Sequence, residues 1–229
     1  MSTETCWMWN SCSRKHCNDP SGCLILTKLN FLYKEANVPP YLRVKRTLVV
    51  DSDESDLEAF RQLSLIQQNI LSFVGEGKSL YIWSTQAGNG KTSWALRLLQ
   101  TYFNKIWLNS PLRCRALFIN VPFFLQALKD NISIKSEYIS HIKENASQCD
   151  LIIWDDISNK IGTDFEINSL LSIIDSRLIQ GKSNIYTSNV SPADLKNYLD
   201  IRLGSRIATA SNCIQLVGGD KRGLQIKEG

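Results

Sequence analysis

The feature that most constrains this chain is an eight-residue run that follows a short apolar segment and precedes an amphipathic one. The run consists of Thr85, Gln86, Ala87, Gly88, Asn89, Gly90, Lys91 and Thr92. Residues 80–83 before it predict a strand, and the apolar spacing after Lys91 predicts a helix. A glycine-bearing loop between a strand and a helix is the arrangement of a phosphate-binding P-loop. The sequence therefore predicts an α/β fold with a nucleotide site at this turn.

The residues of this loop have chemical properties that suit the binding of a nucleotide. Gly88 and Gly90 let backbone N–H groups approach phosphate oxygens, and the following helix adds the positive end of its dipole. Lys91 is expected to reach the β- and γ-phosphates of ATP, and the Thr92 hydroxyl is expected to bind Mg²⁺. Thr85 departs from the common pattern, which has its first glycine there. The alternative interpretation is an ordinary glycine-bearing turn.

Composition excludes several classes of protein. The chain has 229 residues, of which 43% are hydrophobic and 21% are charged, as in a soluble globular protein. No apolar run approaches the roughly 20 residues that span a bilayer. The N-terminus, with Cys6, Trp7 and Trp9 among polar residues, lacks the order of a secretory signal, so we expect a cytoplasmic protein. The formal net charge of +4 permits nucleic-acid contact without requiring it.

Four cysteines crowd the first tenth of the chain: Cys6, Cys12, Cys17 and Cys23. In a reducing compartment such crowding favours a metal site over disulfides. The four thiolates would complete a tetrahedral Zn²⁺ site, in which His16 is an alternative to its neighbour Cys17. No pair has the two-residue spacing of a zinc knuckle, so free thiols in an N-terminal arm are the alternative.

We place a domain boundary near residue 50, between a small Cys-rich unit (residues 1–50) and a larger domain (residues 51–229). A helix is predicted over residues 24–36, and its apolar face is expected to pack on the zinc unit itself or to receive a partner. A basic tract and an acidic tract follow, which is typical of a solvated linker and a helix start. Ser55 is the expected N-cap of a helix that runs through Phe73 and ends at Gly75.

Beyond this helix, apolar strands alternate regularly with helices. Strands are predicted over residues 79–84, 114–119, 151–155, 185–188 and 212–217. Helical regions are predicted over residues 91–108, 122–146, 164–180 and 192–208. Near-continuous apolar strands separated by helices indicate a parallel sheet that is covered on both faces. The nucleotide site is therefore expected at the carboxyl ends of the strands.

A pair of carboxylates ends the third predicted strand. Residues 151–154 are apolar, and Asp155 and Asp156 follow them in a Walker B pattern. Asp155 is expected to hold Mg²⁺ through water, and Asp156 to orient or deprotonate the attacking water. The alternative role for the pair is to cap the next turn. Asn189, just after the next strand, is a candidate for holding the attacking water, although on its own it would indicate only a turn.

Arginines follow in the last part of the chain. Arg202 and Arg206 lie four residues apart on a predicted helix and therefore share a face. An arginine in such a place is able to complete the active site of a neighbouring subunit. Arg222 comes shortly after the last predicted strand.

The order of these motifs resembles that of the AAA+ ATPases, and within them the replicative-helicase loaders of the DnaC and DnaI type. The resemblance covers about residues 30–225 and includes residues 35–39, 187–189 and 205–206. It implies that Asn189 is sensor 1, that Arg206 is the arginine finger and that Arg222 is sensor 2, with Arg202 the weaker candidate for the finger. It also implies that the larger domain has no separate lid domain.

Proteins of this type are ATPases that bind ATP, assemble side by side, engage single-stranded DNA and use a zinc-bearing or helical N-terminal domain to hold a hexameric replicative helicase, a role that falls here to residues 1–50. The resemblance implies the same partners here, in a bacterial cytoplasm, and the small size and cysteine spacing favour a version encoded by a phage or mobile element. Candidates for DNA contact are Phe123 with Phe124, as a stacking platform, and Lys129, Lys135 and Lys143. The alternative is a solvated helix face over phenylalanines of the core.

Other functions fit parts of the pattern. A transposition-associated ATPase of the IstB type shares the same core and binds DNA. A P-loop phosphotransferase for a small metabolite shares the loop, but no arginine-rich lid or acceptor pocket is recognisable, and paired aspartates fit water activation better. A zinc-dependent adaptor with an inactive nucleotide site is a further alternative.

Overall fold

The computed structural model describes residues 23–43, 55–131, 135–158 and 163–221. Within these ranges, five strands form one parallel sheet in the order β2-β3-β4-β1-β5. The strands are β1 (Ser79–Trp83), β2 (Ala116–Asn120), β3 (Leu151–Asp155), β4 (Ser183–Ser188) and β5 (Ser211–Gln215). The predicted parallel sheet is confirmed, and each strand end lies within two residues of its predicted position.

Helices connect the strands and cover the sheet. They are α1 (Leu24–Glu35), α2 (Leu57–Gln68), α3 (Ile70–Gly75), α4 (Lys91–Ile106), α5 (Val121–Asp130), α6 (Glu137–Asn145), α7 (Asp164–Ile179), α8 (Leu195–Tyr198) and α9 (Ile201–Ala210). A short 3₁₀ helix, Pro40–Leu42, follows α1. In the part of the chain that the structure describes, no helix has the length and apolar character needed to cross a membrane.

Helices cover both faces of the sheet. Because successive residues of a strand point to opposite faces, one strand contributes side chains to the apolar clusters on both sides. In β1, Leu80 and Ile82 belong to one apolar cluster, together with residues of α1, α2, α3 and α4. Tyr81 belongs to a second cluster, together with residues of α5, α6, α7 and α9. This two-sided coverage explains why β1, β2 and β3 are mostly apolar. The strand ends are therefore the places where polar side chains meet.

Two predicted helices are interrupted. The helical region predicted over residues 122–146 consists of α5 and α6, between which residues 132–134 lie outside the described ranges. The helix predicted to run through Phe73 breaks at Asn69, whose side-chain amide donates a hydrogen bond to Leu65 O at 3.0 Å. Asn69 itself has φ −102° and ψ 25°, outside the helical range, and this interrupts the helix. The N-cap of α2 is Asp56 and not Ser55.

The apolar face of α1 packs on the sheet. Leu29, Leu32 and Tyr33 are buried in the same cluster as β1. The backbone N–H of Phe118, in β2, donates to Ala36 O at 2.7 Å and joins the end of α1 to the sheet edge. The expectation that this face packs on a zinc unit is therefore wrong, because the core of the larger domain covers it. The boundary near residue 50 stays a prediction.

Candidate nucleotide-binding site

The P-loop connects β1 to α4 at the carboxyl edge of the sheet. Gly88 and Gly90 have positive φ angles of 77° and 103°, which residues with a side chain rarely adopt. The Ser84 hydroxyl accepts a hydrogen bond from Gln86 N at 3.1 Å, so the chain turns immediately after the strand. Lys91 is the first residue of α4. The predicted order of strand, glycine turn and helix is therefore present.

The ammonium group of Lys91 is held by its own loop. Nζ donates to Gln86 O at 2.8 Å and to Asn89 Oδ1 at 3.3 Å. Both acceptors are neutral oxygens, and hydrogen bonds between an ammonium and a phosphate oxygen are stronger. Lys91 also lines the cleft described below. Its surroundings therefore suit an anionic ligand.

Asp155, the last residue of β3, joins the loop to the sheet. Its Oδ1 accepts hydrogen bonds from the hydroxyls of Thr92 at 2.7 Å and Thr187 at 2.8 Å. Its Oδ2 accepts a longer one from Asn120 Nδ2 at 3.4 Å. Thr92 and Asp155 offer hard oxygen ligands of the kind that Mg²⁺ prefers. The structure brings these two residues together, and their role as Mg²⁺ ligands stays a prediction.

A cleft of about 260 Å³ opens beside the loop. The predicted site residues that line it are Ala87, Gly88, Asn89, Gly90, Lys91, Thr92, Asp156 and Asn189. Asp156 has a positive φ of 55°, and its N–H donates to Thr187 Oγ1 at 2.9 Å. The N–H of Asn189 donates to Ser158 Oγ at 3.0 Å, which joins the turn after β4 to the turn after β3. The Walker A, Walker B and strand-end motifs therefore converge on one cleft.

Some predicted site residues lie elsewhere. Thr85 and Gln86 are exposed at the start of the loop and do not line the cleft. Arg206, on α9, forms a salt bridge with Asp175 of α7 and does not line the cleft either. Arg222 lies outside the described residues, so its position relative to the site stays a prediction.

The predicted zinc ligands fall mostly outside the described residues. Cys6, Cys12 and Cys17, and the alternative ligand His16, all lie there. Cys23 is described as a free, half-buried thiol directly before α1. Among residues 23–43, 55–131, 135–158 and 163–221, no group of three or more His, Cys, Asp or Glu side chains could hold a metal ion. The zinc site stays a prediction.

The aromatic platform predicted for DNA contact is wrong in one of its members. Phe124 is buried in the core, because it lies on the inner face of α5. Phe123 is 59% exposed, and its ring packs edge-on against Tyr138 with 5.2 Å between centroids. Lys129 forms a salt bridge with Glu166 at 3.0 Å. Phe123 is therefore the exposed member of the predicted pair, and its ring neighbour Tyr138 is half-buried against the core.

Sequence reasoning missed two polar residues of the site, Asn120 and Thr187. In the sheet register, Asn120 pairs with Asp155, and the Trp154–Tyr186 pair places Thr187 beside Asp155 on the other side. Each residue occupies the carboxyl end of a strand that neighbours β3. A sequence signal for both exists, because a polar residue stands at the end of each apolar strand. The ends of neighbouring parallel strands lie side by side, so these polar residues are expected to meet.

No protein-family model matches the sequence, and no curated protein is significantly similar to it. Solved structures of similar fold do exist. A crystal structure of the DnaC helicase loader has a TM-score of 0.58 and 20% identity, over 71% of this chain and 90% of that chain. A structure of DnaI has a TM-score of 0.60 and 20% identity, over 81% and 94% of the two chains. AMPPCP-bound DnaA from Aquifex aeolicus has a TM-score of 0.53 and 19% identity, over 76% and 50%.

These matches differ in extent. The chain is similar to nearly the whole of the DnaC and DnaI structures, but only to about half of the DnaA structure. At such low identities they establish the fold. The predicted resemblance to AAA+ helicase loaders of the DnaC and DnaI type is therefore confirmed at the level of the fold.

Proposed function

We propose that this chain is an ATP-dependent helicase loader, which binds and hydrolyses ATP at the P-loop cleft and helps to place a replicative DNA helicase on single-stranded DNA. One observation carries the proposal. The Thr92 hydroxyl and the Asp155 carboxylate meet at 2.7 Å beside the P-loop. They do so in a fold that matches nearly the whole of a DnaC helicase loader structure.

The residues of the cleft fit ATP and Mg²⁺. Bound Mg²⁺ neutralises phosphate charge, and Thr92 and Asp155 are the residues that would hold it. Lys91 exchanges its loop acceptors for phosphate oxygens. Asp156 orients or deprotonates the attacking water, and Asn189 holds that water from the turn after β4. ATP hydrolysis is the activity that this set of side chains supports best.

Arg206 is proposed to act on the nucleotide of a neighbouring copy of the chain. Its side chain is 46% exposed, and its ionic partner within the chain is Asp175. An exposed ion pair of this kind contributes little to stability, so the arginine is readily released to a phosphate. Side-by-side assembly would then complete each site, with Arg222 contributed by the chain that holds the nucleotide.

Single-stranded DNA is the second proposed ligand. Phe123 presents an exposed aromatic ring on α5, supported from the side by the half-buried Tyr138 of α6, and bases stack on such rings with little sequence preference. Lys135 and Lys143 are exposed nearby in sequence and are candidates for phosphate contacts. The Cys-rich N-terminal unit is the proposed contact for the helicase.

The experiment that tests the loader function uses the full chain and the replicative helicase of its host. Complexes are separated by size with and without ATP, and helicase placed on a single-stranded DNA circle is measured. We expect the wild type to bind and load the helicase, and Lys91→Ala to bind it but fail to load it. Lys182→Ala, at the opposite edge of the sheet, is the matched control and should load normally.

Two results would change this conclusion. A wild-type chain that neither binds nor loads the helicase in the presence of ATP would contradict the loader function. Tight binding of duplex DNA by oligomers of the chain, without helicase binding, would favour a transposition-associated ATPase of the IstB type.

A further inference from the structure

A buried carboxylate outside the cleft holds the segment that follows β5. Asp56 directly precedes α2 and is 1% exposed. Its Oδ1 accepts hydrogen bonds from the backbone N–H groups of Val217 at 2.6 Å and Gly218 at 3.1 Å. Its Oδ2 accepts one from Lys221 Nζ at 3.1 Å. We call residues 216–221 the strap, since this single carboxylate fixes it at three points.

The strap lies against the P-loop. Leu216 O accepts a hydrogen bond from Asn89 Nδ2 at 3.2 Å, and the backbone N–H of Lys221 donates to Gly88 O at 3.0 Å. A Cβ atom at Gly88 would lie 1.9 Å from Asp220 Oδ1, so strap and loop leave no room for a side chain between them. No strap residue lines the cleft. The strap therefore supports the loop without occupying the space for the nucleotide.

Two routes lead from the strap to Lys91. Asn89 uses Nδ2 for the strap and Oδ1 for the Lys91 ammonium, so its amide joins the two. On the second route, Lys221 Nζ lies 5.2 Å from the centre of the Phe60 ring. That ring packs edge-on against Trp94, in the helix that Lys91 begins, with 5.0 Å between centroids. Both routes start in the segment that Asp56 holds.

We infer that Asp56 is a positioning residue for nucleotide binding: through the strap, it holds Gly88, Asn89 and hence Lys91 in the shape that phosphates require. The inference rests on the proposed ATP site and adds a residue that does not touch the nucleotide. Removing the carboxylate leaves the buried N–H of Gly218 and the part-buried N–H of Val217 without this partner. The strap then loosens, and the loop loses the preorganised shape on which tight binding depends.

Two substitutions in the full chain test the role of Asp56. Asp56→Ala removes all three contacts, whereas Asp56→Asn keeps one oxygen for the backbone donors and removes the charge opposite Lys221. The dissociation constant of a fluorescent ATP analogue with Mg²⁺ and the thermal unfolding midpoint are measured for each variant. We expect Kd to rise about tenfold for Asp56→Ala, because the loop loses part of its preorganised shape, and less for Asp56→Asn.

Asp150→Asn is the matched control. Asp150 is also a partly buried carboxylate in an ion pair, with Arg115 at 2.6 Å, but it lies at the amino edge of the sheet. This control should lower the thermal midpoint and leave Kd unchanged. A rise in Kd that is confined to the Asp56 variants supports the inference, because a purely structural role would affect both positions alike.

The remaining outcomes separate this inference from the proposed function. An unchanged Kd in a folded Asp56 variant overturns the inference and leaves the ATP site intact. A wild type that does not bind the analogue overturns both. If Asp56→Ala does not fold, Asp56→Asn and Asn89→Ala are combined. Because Asn89 lies on the route, their effects on Kd should be less than additive, and full additivity overturns the inference.

Discussion

The two edges of the sheet both gather charged side chains but satisfy them differently. At the amino edge, Arg177 is fully buried and donates to Ala146 O, Cys149 O, Ser183 O and Asn184 Oδ1 at 2.6 to 3.0 Å. At the carboxyl edge, Lys91 donates to two oxygens of its own loop and lies beside an open cleft. The acceptors of Arg177 are fixed parts of the core, whereas those of Lys91 belong to a turn.

This difference shows that the number of charges does not identify a functional edge. A buried guanidinium whose acceptors are core oxygens at the end of α6 and around the starts of β3 and β4 cannot exchange them without opening the core. An ammonium beside a cleft can exchange a neutral oxygen for a phosphate oxygen and gain by it. We therefore expect substitutions at the amino edge to change stability, and those at the carboxyl edge to change nucleotide binding or hydrolysis.

The largest effect is expected for Arg177→Ala. It removes a buried charge and leaves carbonyl groups at the starts of β3 and β4 without their donor, so the free energy of unfolding should fall by about 4 kcal/mol. Urea denaturation followed by circular dichroism measures this loss. Arg202→Ala, on the exposed start of α9, is the control and should change stability by less than about 0.5 kcal/mol. A similar small loss for Arg177→Ala would remove the distinction between the edges.

The second-largest effect is expected for Lys91→Ala, which should weaken the binding of nucleotide. Loss of a charge-assisted bond to phosphate should raise the Kd for ATP about a hundredfold, which corresponds to roughly 3 kcal/mol, while stability stays nearly unchanged. Isothermal titration calorimetry measures the affinity. Lys182→Ala, which removes a lysine from the amino edge, should leave Kd at the wild-type value. Equal effects of the two substitutions on Kd would contradict the assignment of the site to the carboxyl edge.

The carboxyl edge could largely be predicted from the sequence, and the amino edge could not. Gly88, Gly90 and Lys91 have a spacing that few other structures require, and Asp155 and Asp156 end an apolar run that reads as a buried strand. Arg177 lies in the last turn of α7, where a basic residue normally favours the helix dipole and stays in water. Nothing in its local sequence shows that the helix end abuts the starts of β3 and β4.

The role of Asp56 could not be predicted from the sequence, for a related reason. It belongs to an acidic tract that predicts a solvated linker, yet its carboxylate is buried under the strap. Its partners lie more than 160 residues away, so no local pattern indicates them. Likewise Thr187 reads as part of a turn signal until the register places it beside Asp155. Contacts that depend on which strands are neighbours become visible only when the sheet order is known.

A smaller effect is expected for Thr187→Val. This substitution tests the bridge that the Thr187 hydroxyl forms between Asp155 and Asp156 at the carboxyl edge. The Thr187 hydroxyl donates to Asp155 Oδ1 and accepts from the N–H of Asp156, so it sets the position of both carboxylates. Its removal should lower the rate of ATP hydrolysis about tenfold, or roughly 1.4 kcal/mol, with little change in Kd. A phosphate-release assay measures the rate, and Thr187→Ser should restore it. An unchanged rate would show that the bridge is structural only.

The smallest effect concerns the pH dependence of the amino edge. Burial acts to raise the pKa of the Asp150 carboxyl, but hydrogen bonds from Arg115 and Tyr102, together with the positive charges of Arg115 and Lys182, outweigh it and hold the pKa below its ordinary value. A carboxyl with a depressed pKa in the folded state binds protons more readily when the chain is unfolded. Its stabilising contribution is therefore complete above the ordinary pKa of about 4 and is lost as the pH falls through the lower folded-state value.

Asp150→Asn should accordingly reduce the free energy of unfolding by about 1 kcal/mol at neutral pH, and the difference from the wild type should shrink as the solution is acidified below about pH 4. Urea unfolding of both chains at neutral and acid pH measures it. A difference that persists at acid pH would mean that Asp150→Asn destabilises the protein through altered packing and not through the loss of a charge. A change in the Kd for ATP at neutral pH would be more serious, because it would show that the amino edge reaches the nucleotide site and that the two edges are not separate.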